Sequence, residues 1–77
     1  MSKELNKFYE EQIDFAKKQV EWYSGKIKWY GETIKKETYD LDYRFMLKKE
    51  RNKCYKVRSY WRNKIKEYEK KLSIETY

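Results

Sequence analysis

Arg44, Lys48, Arg51, Tyr55, Arg58 and Arg62 follow one another at intervals of 4-3-4-3-4. On a helix that spacing puts all six on one face. They include every arginine of the chain, whereas the other basic positions, sixteen of them, are lysine. The planar guanidinium fork suits bidentate contact with phosphate or carboxylate, which an ammonium contacts only as a point charge. Segment 44–66 carries ten basic residues and a single acid, Glu50, in a chain of net charge +7. From Arg44 to Arg62 the ridge would run ~27 Å along a helix. Duplex phosphates recur every ~3.4 Å along each strand, so that length matches several of them. The expected chemistry is recognition of nucleic-acid phosphates, with an acidic protein surface as the other candidate. Lys49, Asn52, Lys53, Lys56, Ser59 and Asn63 lie further round the same helix and are candidates for added phosphate contacts.

Groups for catalysis are scarce. The chain has no histidine and one cysteine, Cys54. One thiolate without imidazoles cannot build a zinc site. Cys54 falls on an expected buried seam, so it reads as a small core residue and not a nucleophile. No glycine-rich phosphate loop, EF-hand pattern or C-x-x-C pair occurs in the sequence. The expectation is a protein that is not an enzyme, with no metal, cofactor or small-molecule substrate.

A second chemistry is aromatic. Phe8, Phe15, Trp22 and Trp29 recur every seven residues. Four large rings in one row exceed what a monomer usually leaves in water. Burial in a homodimer is the expected use. Docking of another protein, or stacking of bases with Trp22 and Trp29 as anchors, are the alternatives.

These rows need long helices to hold them. Tyr9, Ile13, Ala16, Val20, Tyr23, Ile27, Tyr30 and Ile34 alternate at four and three residues, the seam of a helix packed along its length. The pattern passes through Gly25 and Gly31 without losing register, so one helix over about 3–36 is expected, with a break near Ser24-Gly25 as the alternative. Each glycine costs such a helix ~1 kcal/mol relative to alanine. A turn is expected over about 37–40, where Thr38 or Asp40 can cap the next helix and Asp40 and Asp42 put negative charge at its start.

The second helix is expected over about 41–72, with Lys70 and Lys71 at its end and 73–77 fraying. Its seam would be Tyr43, Leu47, Glu50, Cys54, Val57, Trp61, Ile65, Tyr68 and Leu72, a heptad with one stutter. A chain folded back at Thr38-Tyr39 pairs residues whose numbers sum to about 77. That register brings Glu32 near Arg44, Glu21 near Arg58 and Asp14 near Arg62. The arginines are therefore open to a second reading, as an internal salt-bridge face.

The fold class is thus all-α: one domain over residues 1–77, an antiparallel, coiled-coil-like two-helix hairpin. Seventy-seven residues make a marginal core, and neither disulfides within the chain nor zinc can supplement it. Pairing of two hairpins into a four-helix bundle is the remaining support. The absence of proline and the presence of two glycines fit long helices, and 19% aromatic content argues against disorder. No apolar run follows the first seven residues, and the longest, Phe45-Met46-Leu47, is far short of the ~20 residues a membrane span needs. A cytoplasmic location without membrane contact is expected.

The functional expectation is a small binding or regulatory protein whose basic helical face contacts DNA or RNA phosphates. The alternative is a phage or mobile-element inhibitor or adaptor that docks on a host protein, such as a nuclease or polymerase, through the aromatic stripe.

Overall fold

The computed structural model describes residues 3–75. They form two helices, α1 (Lys3–Ile34) and α2 (Leu41–Glu75), folded back on one another. Among the described residues there is no strand, so the molecule is all-helical. α1 runs unbroken through Gly25 and Gly31, and the three-helix alternative falls away. The seam side chains on either side of each glycine hold the helix against α2, which outweighs two local propensity losses.

α1 stops at Ile34, two residues before the position expected from the sequence. The Thr33 hydroxyl is buried and donates to the Trp29 carbonyl at 2.8 Å, turning back on its own helix. The Lys36 N–H then bonds the Thr33 carbonyl at 3.1 Å and begins the turn. No basic residue lies in the last turn of α1. Arg44 supplies the missing cation from the other helix: its Nε donates to the Ile34 carbonyl at 2.8 Å. A carbonyl with no partner inside its helix is thereby satisfied by a positive group. Asp40, not Thr38, caps α2, its Oδ1 accepting the Tyr43 N–H at 2.8 Å. α2 continues a turn past Lys70 and Lys71 to Glu75. Thr76 and Tyr77, in the stretch expected to fray, lie outside the described residues.

The core is the seam between the helices. Ile13, Ala16, Ile27 and Ile34 of α1 and Leu47 and Cys54 of α2 are buried, and the other seam positions are half-buried. Tyr9 lies against Tyr68 with ring centroids 6.0 Å apart, and Phe15 lies edge-on to Trp61 at 5.5 Å. These pairs fix the antiparallel register that a fold at Thr38-Tyr39 requires. Glu50 is the one charged seam residue. It escapes full burial and pairs with Lys53 at 3.2 Å on its own helix.

The result is a rod of 57 × 14 × 12 Å. Its radius of gyration is 17.4 Å, against about 11–12 Å for a compact domain of this length. A rod two helices thick has little interior, and no large side chain is completely buried among the described residues.

Candidate nucleic-acid interface

With the seam positions labelled a and d, the remaining positions sort onto two broad faces. In an antiparallel pair, the e rows of the two helices adjoin on one face and the g rows on the other. Arg44, Arg51 and Arg58 occupy e of α2, and Lys48, Tyr55 and Arg62 occupy b beside them. Ser24 and Gly31 occupy e of α1. Observed contacts place this face: Arg58 Nη1 donates to Ser24 Oγ at 3.3 Å, and Arg44 reaches Ile34. The six residues of the ridge therefore share one side of the rod. Arg44, Arg51 and Arg58 are half-buried against α1, while Lys48, Tyr55 and Arg62 are exposed.

The expected internal salt bridges do not form. Asp14 pairs with Lys18 at 3.3 Å, Glu50 with Lys53 at 3.2 Å and Glu67 with Lys64 at 3.3 Å. No arginine is ion-paired among the described residues. Of the three carboxylates expected opposite arginines, Asp14 is taken by a lysine one turn along its own helix, and Glu21 and Glu32 form no ion pair with Arg58 or Arg44. These exposed pairs contribute little to stability. Beside Lys64, the Glu67 carboxylate holds the ammonium above the ordinary lysine value. That raised value means the pair supports the fold below the ordinary lysine range, and its contribution disappears as pH climbs through the raised pKa.

The guanidiniums instead meet neutral groups. Arg44 bonds a backbone carbonyl, Arg58 bonds a hydroxyl, and the Arg58 guanidinium lies 5.2 Å from the Tyr55 ring. A guanidinium carries five N–H donors, so one bond to a neutral acceptor leaves most of the fork for an anion. The Nε atoms of Arg51 and Arg58 are out of water with no acceptor. Gly31, at e of α1, has open space where a Cβ would be, with nothing within 4 Å. The ridge is thus a row of positive donors, two of them partly dehydrated. Attraction for an arriving phosphate is stronger there than for lysines waving in bulk water.

Other polar residues expected to extend this ridge do not. Lys49 and Lys56 fall at c and Lys53 at g, which belong to the opposite face. Phe8, Phe15, Trp22 and Trp29 fall at c of α1, on that same opposite face, and they are 49%, 50%, 57% and 53% exposed. Exposed Met46 and Tyr60, which the reading of the sequence passed over, sit at g of α2 between them. Heptad position was the signal that would have found both.

No protein-family model matches the chain, and neither curated proteins nor solved structures show a significant match to it. Among the described residues, no helix is long and apolar enough to cross a membrane, and no cluster of three or more histidine, cysteine, aspartate or glutamate side chains is placed to hold a metal ion.

Proposed function

We propose that this protein is a non-enzymatic nucleic-acid-binding regulator whose arginine ridge contacts phosphates. The observation that carries this reading is the absence, among the described residues, of any carboxylate paired with an arginine. A salt-bridge face would have neutralised the ridge, and this one keeps its charge. Arg51, Arg58 and Arg62 are the phosphate contacts, with Lys48 and Tyr55 beside them. Arg44 belongs to the ridge and also locks the turn.

The test is a gel-shift titration against duplex DNA, structured RNA and single strands at two salt concentrations. Affinity should fall steeply with salt, because each phosphate contact contributes about 0.9 to the logarithmic slope on duplex DNA. Replacing Arg51, Arg58 and Arg62 with glutamine should reduce that slope by about three. Arg44 is left intact so that folding is not what changes. No shift with any nucleic acid at low salt would retire the proposal.

A second reading has the half-exposed Phe8, Phe15, Trp22 and Trp29 in its favour. It is a phage or mobile-element inhibitor or adaptor that docks on a host nuclease or polymerase through that stripe. Binding that salt barely weakens, and that Trp22→Ala and Trp29→Ala abolish, would select it. Burial of that same stripe between two hairpins, giving a four-helix bundle, is a competing proposal for this face. It is supported by an accessible surface of 6304 Å², where a compact monomer of this mass would show roughly 5,200 Å². Light scattering reads it directly as twice 9.8 kDa.

A further inference from the structure

The face opposite the arginine ridge has an ordered cross-section. One edge is the aromatic row of α1, Phe8 to Trp29. The other edge is the c row of α2, which holds Asp42, Lys49, Lys56 and Asn63, all exposed. Between them run the two g rows: Gln12, Gln19 and Lys26 on α1, and Met46, Lys53 and Tyr60 on α2. The ring contact of Phe15 with Trp61 sets the level of the two edges. By that register Trp22 stands beside Lys53 and Lys56, and Trp29 beside Met46 and Lys49. Lys26 Nζ lies 4.4 Å from the centre of the Trp22 ring. Lys26, Lys49 and Lys56 have no carboxylate partner among the described residues.

Rings along one edge and ammonium groups along the other, with the two g rows between them, match a polymer with flat apolar units on one side and negative charge on the other. We propose that this face is a platform for single-stranded nucleic acid, with bases on Trp22, Trp29 and Phe15 and phosphates on Lys49 and Lys56. The inference rests on the nucleic-acid reading above and adds a strand type and a second surface to it. A duplex cannot use the rings, because its base faces are already stacked on one another. Unpaired bases can, and stacking tolerates any sequence since every base has a π face.

A second copy of the chain fits this face less well. From Phe8 to Trp29 the row of rings runs ~32 Å along α1, within a rod 57 Å long. The middle of the face, however, carries Lys26 and its edge Lys49 and Lys56, none of them paired with a carboxylate among the described residues. Two such faces pressed together would enclose like charges away from water, which is costly when they lack counter-charges. A polyanion supplies those counter-charges.

Tryptophan emission tests the proposal in the full-length chain. Trp61→Phe is used as the parent so that only Trp22 and Trp29 report. A single-stranded homopolymer of thymidylate or uridylate should quench emission, and a duplex of equal length should bind with far less quenching. Trp22→Ala and Trp29→Ala should each weaken single-strand binding roughly 5- to 150-fold, the range that base stacking on one aromatic supports. Lys49→Glu with Lys56→Glu, at exposed positions that leave the seam alone, should weaken it while helical circular dichroism is retained. Gel shifts unaffected by these changes but lost with the arginine variants would overturn the platform and leave the ridge standing. Emission that shifts with anionic phosphatidylglycerol vesicles and not with single strands would also overturn it. So would a mass of twice the monomer that reverts on Trp22→Ala.

Discussion

Arg44 shows how one residue can serve the fold and the surface together. Its Nε–H lies 2.8 Å from the Ile34 carbonyl, closing the end of a helix that has no basic residue of its own in the last turn. A hydrogen bond from a charged donor contributes about 1.5–3 kcal/mol, so Arg44→Ala should lower unfolding stability by that order in urea titrations. Arg44→Lys keeps the charge but loses the short Nε donor, and it should fall between. Cys54 offers a second check at this scale. It is buried in the seam, so a thiol reagent should modify the native protein only as fast as the hairpin opens. Fast labelling of folded protein would show the seam to be looser than described.

At the scale of the helix, caps and glycines set the margin. Asp40 holds the first turn of α2 through its bond to the Tyr43 N–H. Asp40→Ala should cost about 1 kcal/mol. Gly25 and Gly31 point the other way. Both lie inside α1, and a Cβ at either would meet nothing within 4 Å. Gly25→Ala and Gly31→Ala should each stabilise by up to about 1 kcal/mol, raising the melting temperature by roughly 4–8 °C per kcal/mol in a domain this small. A fall on Gly31→Ala would mean that the open space at that position is needed when the two helices pack. If stability rises while nucleic-acid affinity drops, the glycine serves the ridge and not the helix.

For the whole molecule, the rod shape dominates. Two helices bury one seam, and four aromatic rings stay half in water because there is no third element to cover them. Small-angle scattering of the free protein should give a radius of gyration near 17.4 Å with a long dimension near 57 Å. Side-by-side pairing would thicken the cross-section at nearly constant length. End-to-end pairing would lengthen the particle, and a collapsed domain of about 11–12 Å would contradict the hairpin.

The order of the chemistry along the chain was legible without coordinates. A strict four-three alternation admits only a helix with one buried stripe, so the two helices, their antiparallel register and the row of arginines followed from spacing. The aromatic row was legible for the same reason, as was the burial of Cys54. What spacing could not give was partner choice across the seam. Glu32, Glu21 and Asp14 sat at plausible levels opposite the arginines, yet reach and direction decided otherwise, and Arg44 and Arg58 turned to a carbonyl and a hydroxyl instead. Which rows of the two helices adjoin, by contrast, was settled by the contacts of Arg58 with Ser24 and Phe15 with Trp61, because it depends on the direction of packing. Periodicity is a property of one helix, whereas a surface is made by two.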